Sequence, residues 1–245
     1  MKMRLDQLLV ERGLVESRTR AQALIMAGLV FSGEQRLDKA GLKIPDDAPL
    51  EVRGQDHPWV SRGGLKLDHA LAHFDISVAG AVCLDVGAST GGFTDVLLTR
   101  GGAKVYAVDV GQGQLAWKLR QDPRVVVLEK TNARHLDASL VPEPVDFVCC
   151  DASFIGLETV LPAPMALAKP AAHLVALIKP QFEVGRSRVG KKGVVSDPTL
   201  HAEVCERIST WLASRAGWAV LGITQSPIKG PEGNVEFLVA AARRP

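Results

Sequence analysis

Two apolar patterns at helical spacing open the chain. Residues 4 to 12 (RLDQLLVER) and 17 to 27 (SRTRAQALIMA) each repeat apolar side chains every three or four positions. Ser17 is a suitable N-cap for the second helix, which Gly28 ends. Short strands interrupted by glycine and by a PDD turn follow. The segment therefore predicts a small α+β unit.

From residue 81 onward, short continuous apolar runs alternate with helical stretches. The first five runs are AVCLDV, KVYAVDV, VVVLE, VDFVCC and HLVALIK. Such runs indicate a parallel sheet covered on both faces. The last two runs, WAVLGIT and VEFLVAA, are joined by a loop of about ten residues with no room for a helix, so we expect them to pair antiparallel. This α/β sheet resembles the Rossmann-like methyltransferase fold.

A polar joint, GQDHPWVSRGG, separates the two patterns. Its proline stiffens the chain and its glycines restore freedom. We therefore predict a small domain over residues 1–58 and a larger one over 59–245, with the linker 57–64 assigned to the larger domain.

Composition narrows the class of protein. With 245 residues, 47% hydrophobic and 23% charged, the chain can bury a substantial core. The net charge of +2 says little about a nucleic-acid partner. The four cysteines contain no CxxC pair, and no secretory signal or long apolar segment is visible. We expect a cytoplasmic protein without disulfides, bound metal or membrane contact; His69 and His73 have helical metal spacing but no third ligand.

The turn after the first predicted strand of the sheet, DVGASTGGFTD, is a candidate cofactor site. Its glycines let the backbone approach a ligand, and the helix that follows supplies free N–H groups. It matches neither the GxGxxG of dinucleotide-binding proteins nor a GK[ST] phosphate loop. Its form resembles the cofactor motif of FtsJ-like RNA methyltransferases, which implies S-adenosylmethionine. The candidate residues of this turn are Asp85, Gly87, Ser89, Gly91, Gly92 and Phe93.

Later loops at the same edge complete this cofactor site. Asp109 ends the second strand about twenty residues beyond the turn, where a carboxylate can accept both ribose hydroxyls. Val110 beside it and Asn132 in the TNAR loop are assigned to the adenosine site, and Asp151 joins them.

A second group of residues points to the reaction. Asp151 and Lys179 follow the fourth and fifth strands, and Glu236 starts the final one, so all three should converge at the carboxyl edge. Lys66 begins a helix just before the sheet and can close the site. For any one of these residues, an ordinary surface ion pair is the alternative.

Lysine, aspartate, lysine and glutamate in this order resemble the tetrad of FtsJ-like 2′-O-methyltransferases. A ribose hydroxyl is a poor nucleophile that must be oriented and deprotonated. A partly desolvated lysine beside another cation has a lowered pKa. Lys179 is thus the candidate base and Lys66 the neighbouring cation, while Asp151 and Glu236 hold the lysines.

Two segments are candidate RNA contacts. The first two helices and the strands after them resemble the alpha-L RNA-binding motif, in which Arg4, Arg18 and Arg20 would meet phosphates. A glycine-punctuated loop after the fifth strand carries further basic residues. These are Arg186, Arg188, Lys191 and Lys192. Solvated basic surfaces are the alternative in both places.

The motifs SRGGLKL, DVGASTGGFTD, DASFI, LIKPQFEVGR and GPEGNVEF together resemble the TlyA family of ribosomal RNA 2′-O-methyltransferases, often labelled haemolysin A. The resemblance implies methylation of cytidine ribose in ribosomal RNA or ribosomal subunits, with large-subunit RNA favoured by the short tail ARRP. His57 occupies a linker position that is often arginine in that family. A noncatalytic RNA-binding assembly factor and a secreted haemolysin are the alternatives; the latter has no export signal or pore segment to support it.

Overall fold

A computed structural model describes residues 2–15, 17–53, 57–190, 193–230 and 233–245. The first elements along the chain are β1 (Lys2–Arg4), α1 (Leu5–Glu11), α2 (Arg18–Met26), β2 (Val30–Ser32), β3 (Gln35–Arg36), β4 (Lys43–Pro45) and β5 (Glu51–Val52). Both predicted helices are confirmed, and Ser17 Oγ accepts a hydrogen bond of 3.2 Å from Arg20 N as the N-cap. Strand β1 was not predicted, because three residues are too few to show a period.

These elements enclose their own apolar core. Strands β1 and β4 pair antiparallel, and β3, β2 and β5 form a second small sheet. Leu5, Leu9 and Ile25 are fully buried between the two helices and Val30 of β2. Helical spacing of leucine and isoleucine thus produced the packing that it predicts.

The rest of the chain builds one sheet with helices on its faces. Its strands are β6 (Val82–Val86), β7 (Lys104–Val108), β8 (Val125–Leu128), β9 (Val145–Cys150), β10 (Ala168–Ile178), β11 (Trp218–Gln225) and β12 (Phe237–Arg243). Its helices are α3 (Gly63–His73), α4 (Gly92–Thr99), α5 (Trp117–Arg120), α6 (Leu157–Val160), α7 (Pro162–Ala166), α8 (Pro180–Glu183) and α9 (Pro198–Ala213). The α/β class is confirmed.

The strand order is β11-β12-β10-β9-β6-β7-β8. Strands β6 to β10 pair parallel, whereas β12 is antiparallel to both β10 and β11. Successive side chains of each strand point to opposite faces, so the sheet carries two cores. Leu84 packs with Ile208 of α9 on one face, and Cys83 packs with Leu67 and Val96 of α3 and α4 on the other.

This topology brings the predicted site residues, which are far apart in the chain, to the carboxyl edge of the sheet. Asp151 directly follows β9, and Lys179 directly follows β10. Ile178 pairs with Phe237 in the antiparallel register, which brings Lys179 and Glu236 to the same end of neighbouring strands. Glu236 stands immediately before β12 rather than starting it, and its carbonyl accepts a hydrogen bond of 2.9 Å from Ser226 N.

Candidate active site

The turn between β6 and α4 depends on glycine. Gly87 has φ +83°, and a Cβ there would lie 2.9 Å from the backbone nitrogen of Ala152. Gly91, the N-cap of α4, has φ +95°, and a Cβ there would lie 2.3 Å from a Leu119 methyl group. Because both the backbone conformation and the close packing exclude a side chain, the turn brings its own backbone next to the loop that follows β9.

A cavity of about 650 Å³ opens beside this turn. Its volume lies in the range of small-molecule and cofactor sites, which is roughly 300 to 1,000 Å³. The predicted cofactor residues that line it are Gly87, Ser89, Asp109, Val110, Asn132 and Asp151. The structure therefore brings together most of the predicted cofactor site.

Asp109 organises the loops around the cavity. Its Oδ2 accepts a hydrogen bond of 2.8 Å from Ser89 N, and its Oδ1 accepts one of 2.7 Å from Gly111 N. Each carboxylate oxygen can accept more than one donor, so capacity remains for ligand hydroxyls. Val110 is 72% exposed and offers an apolar surface at the cavity wall. Gln114, which the sequence analysis missed, accepts a bond of 3.1 Å from Ser89 Oγ.

Asp85, Gly91, Gly92 and Phe93 differ from the other predicted cofactor residues, because none of them lines this cavity. Asp85 is fully buried beneath the turn, where Thr94 Oγ1 donates a hydrogen bond of 2.7 Å to its Oδ2. Burial raises the pKa of Asp85 to about 7. Gly92 and Phe93 line a neighbouring groove. Asp85 thus holds the start of α4 and makes no direct approach to the cavity.

The four predicted tetrad residues form one connected ion-pair network. Lys66 Nζ lies 2.7 Å from Glu236 Oε2 and 3.7 Å from Asp151 Oδ2. Lys179 Nζ lies 2.6 Å from Asp151 Oδ1. Both lysines and Glu236 are buried, and Glu236 Oε1 has no hydrogen-bond partner among the described residues. Three buried charged groups and the partly buried Asp151 carboxylate, with paired signs, are therefore held at the edge of the sheet.

The network lies between two openings. A groove of about 280 Å³ is lined by Lys66, Lys179, Asp151 and Ser153, and it shares the last two residues with the larger cavity. Lys179 Nζ donates hydrogen bonds of 2.8 Å to Ser153 Oγ and 3.0 Å to the Asp151 carbonyl. Ser153 was not predicted, since a serine in a loop carries no spacing signal. A ligand in the cavity and a chain in the groove would both contact Asp151 and Ser153, the two residues that hold Lys179 Nζ.

The arginines of the small domain that were predicted to contact RNA lie in different surroundings. Arg4 and Arg18 both bind the buried carboxylate of Asp6, at 3.0 Å in each case. Arg20 lines a small cavity beside the linker residue His57.

The basic loop after β10 is held to helix α9 by one of its arginines. Arg188 pairs with Glu203 of α9 at 2.7 Å, whereas Arg186 is exposed beside a cavity that Phe154 and Phe182 also line. The two remaining predicted contacts, Lys191 and Lys192, lie outside the described residues.

The linker packs against helices α3 and α4 of the larger domain. Trp59 is buried, and a Cβ on Gly64 would lie only 2.4 Å from its ring. Val60 N donates a hydrogen bond of 2.8 Å to Asp95 Oδ2 of α4, which also binds Lys118 Nζ at 3.1 Å. Asp95 was missed because its role depends on a contact 35 positions away in the chain.

Within the described ranges, no helix has the length and apolar character needed to cross a membrane. Those same ranges contain no cluster of three or more histidine, cysteine, aspartate or glutamate side chains suited to a metal ion. His69 Nε2 lies 3.4 Å from Thr224 Oγ1, and its ring stacks on His73.

Comparison with known proteins agrees with this architecture. The FtsJ-like methyltransferase family matches residues 59–243, and the S4 domain family matches residues 3–47. The 16S/23S rRNA (cytidine-2′-O)-methyltransferase TlyA of Mycobacterium tuberculosis is 50% identical, covering 97% of this chain and 89% of its own. A candidate rRNA methyltransferase of Bacillus subtilis, YqxC, is 52% identical, covering 97% of this chain and 85% of its own.

A solved structure of a candidate hemolysin from Streptococcus thermophilus is also similar. It has a TM-score of 0.78 and 44% sequence identity, and the match covers 99% of this chain and 89% of that one. The similarity thus spans the small domain, the linker and the sheet together. The chain belongs to the FtsJ-like methyltransferase family, and within it to the TlyA group.

Proposed function

We propose that this protein is an enzyme that transfers a methyl group from S-adenosylmethionine to the ribose 2′-hydroxyl of cytidine in ribosomal RNA. The observation that carries the proposal is the network of Lys66, Asp151, Lys179 and Glu236 at the junction of the cavity and the groove. The name of the TlyA relative, an rRNA (cytidine-2′-O)-methyltransferase, supports the same reaction and substrate.

The large cavity fits an adenosine-containing cofactor. The Gly87 turn leaves no room for a side chain against Ala152, so backbone lines this wall. Asp109 supplies carboxylate oxygens for ribose hydroxyls, and Val110 supplies an apolar wall for a flat ring. When bound, S-adenosylmethionine supplies an electrophilic sulfonium methyl group. Asp109, Val110 and Asn132 would hold its nucleoside part.

The network would act on the ribose hydroxyl. Lys179 Nζ contacts Ser153 at the groove, and in its neutral amine form it would orient the hydroxyl and receive its proton. Asp151 contacts both lysines, so it fixes their separation. Glu236 holds Lys66 from the opposite side. Placing these groups before the substrate arrives lowers the entropic cost of the reaction.

The small domain would bind the RNA, and the linker would orient the small domain. The proposal assigns RNA binding to residues 1–58 and methyl transfer to 59–245, with ribosomal RNA or a ribosomal subunit as the partner in the cytoplasm. Phosphate contacts by Arg4, Arg18, Arg20, Arg186 and Arg188 would set the register without reading sequence.

The test is transfer of labelled methyl from S-adenosylmethionine to ribosomal subunits that lack the modification. We expect label at a cytidine 2′-oxygen with the wild type, and loss of transfer with Lys179→Ala. Arg215→Ala, which changes an exposed residue of the α9–β11 connection, is the matched control. Absence of transfer to either subunit, with cofactor binding retained, would refute the proposed substrate.

A further inference from the structure

The small domain contains a buried carboxylate that holds two arginines. The Asp6 side chain is 0% exposed at the start of α1. Arg4 binds it with a two-point contact, Nε to Oδ1 and Nη2 to Oδ2, each at 3.0 Å. Arg18 Nη2 and Gln22 Nε2 of α2 each donate a further hydrogen bond of 3.0 Å to Oδ2.

The two guanidinium groups remain open to solvent on their outer side. The Arg4 side chain is 40% exposed and the Arg18 side chain is 52% exposed. Among the described residues, the Nη1 atom of Arg4 and the Nε and Nη1 atoms of Arg18 have no hydrogen-bond partner. Each arginine thus uses some of its N–H donors to bind Asp6, and its remaining N–H donors face solvent.

We infer that Asp6 is a positioning residue that fixes Arg4 and Arg18 as one preformed phosphate-binding pair for RNA. The inference rests on the proposed function, and it identifies the residue that organises the RNA-binding surface of the small domain. Asp6 itself does not touch the RNA.

Asp6 preorganises the two arginines but also neutralises part of their charge. A free arginine loses side-chain freedom when it binds a phosphate, whereas a planar fork that is already held loses less. Asp6 links β1, α1 and α2 through this fork, so the spacing between the two guanidinium groups is set by the fold. Asp6 also removes one positive charge from the surface, which by itself weakens attraction to RNA. The two effects of Asp6 therefore have opposite signs, and a single substitution separates them.

The test compares Asp6→Asn with Asp47→Asn in the full-length protein. Both substitutions raise the net charge by one, but Asp47 is exposed in a turn and has no ion pair with another described residue. If Asp6 positions the arginines, Asp6→Asn weakens binding to ribosomal RNA by about tenfold and flattens its salt dependence. Asp47→Asn leaves binding unchanged or slightly tighter. Binding by Asp6→Asn that equals or exceeds that of Asp47→Asn would overturn the inference.

Steady-state kinetics and stability separate positioning from unfolding. We expect Asp6→Asn to raise KM for RNA, with kcat at saturating RNA and the affinity for S-adenosylmethionine unchanged. Hydrogen exchange shows whether Asp6→Asn unfolds the small domain. If it does, Arg18→Lys tests the inference instead, because it keeps Asp6 and the positive charge but removes the planar guanidinium group. Arg36→Lys, at an exposed position of β3, is its control.

We expect about tenfold weaker RNA binding for Arg18→Lys and no change for Arg36→Lys. Equal binding by the two lysine variants would refute the inference. Failure of the wild type to bind or methylate RNA would instead refute the proposed function. The two failures are therefore distinguishable.

Discussion

Lys66 and Glu236, 170 positions apart in the chain, meet at 2.7 Å in the interior of the protein. Their pairing requires α3 to pack on the sheet and β12 to insert between β10 and β11. A buried ion pair is weak evidence for stability, since an apolar pair of similar size is often at least as stable. We infer that this pair is kept for its chemistry at Asp151, which Lys66 also approaches.

The first prediction concerns the cost of breaking that pair. Glu236→Leu leaves the Lys66 ammonium buried without its nearest carboxylate, so we expect about 3 kcal/mol lower unfolding free energy. The double variant Lys66→Met/Glu236→Leu removes both charges and should recover most of this loss. Urea unfolding measures the stability of both variants. Methyl transfer should be lost in the single variant and should not return in the double variant. Recovery of activity in the double variant would show that the pair is only structural.

Ser153 carries the second prediction. Its hydroxyl accepts a hydrogen bond from Lys179 Nζ and lines both openings. We expect Ser153→Ala to lower kcat by about tenfold, because a lost hydrogen bond to a charged group is typically worth 1.5 to 3 kcal/mol. KM for S-adenosylmethionine should change less. Ser139→Ala, at an exposed turn, is the control, and equal rates in the two variants would contradict a role for Ser153.

Sequence patterns predicted which residues lie at the carboxyl edge of the sheet, because those positions depend on topology. Continuous apolar runs identified the strands, and strand ends then located Asp109, Asp151 and Lys179 to within one residue. The antiparallel final strand followed from a connection too short for a helix. The antiparallel register of β10 and β12 then brings Glu236 beside Lys179.

Contacts that depend on side-chain packing could not be predicted in this way. The sequence pattern did not single out Asp6, yet it is buried against two arginines. Asp85 looked like a cofactor ligand because it precedes the glycine turn, yet it lies beneath that turn. Neither sequence spacing nor residue type records which side of a turn a carboxylate reaches.

The third prediction tests the glycine turn. Gly87→Ala combines φ +83° with a Cβ that would lie 2.9 Å from the Ala152 backbone, so the turn and the loop after β9 must separate. Gly113→Ala has a similar φ of +72° but nothing within 4 Å of the added carbon. Calorimetric titration should show S-adenosylmethionine affinity at least about tenfold weaker for Gly87→Ala than for Gly113→Ala. Equal affinities would mean that backbone strain alone matters.

The last prediction concerns pH and the buried Asp85. Burial raises the pKa of its carboxyl to about 7 in the folded protein, from an ordinary value of 3.8. The native state therefore binds a proton between these values while the unfolded chain does not, and stability falls as pH rises from about 4 to 7. Above pH 7 the full cost of the buried charge is present, on the order of 4 kcal/mol at about 1.4 kcal/mol for each pKa unit.

Asp85→Asn removes this titration and keeps an acceptor for the Thr94 hydroxyl. We therefore expect the variant to lie within about 1 kcal/mol of the wild type near pH 4.5 and to exceed its unfolding free energy by a few kcal/mol at pH 8. Urea unfolding at both pH values measures the difference, with Asp68→Asn, at a partly exposed surface ion pair, as the control. If the gap between Asp85→Asn and the wild type were the same at both pH values, the carboxyl would be ionised throughout, and the hydrogen bond from Thr94 would outweigh its burial.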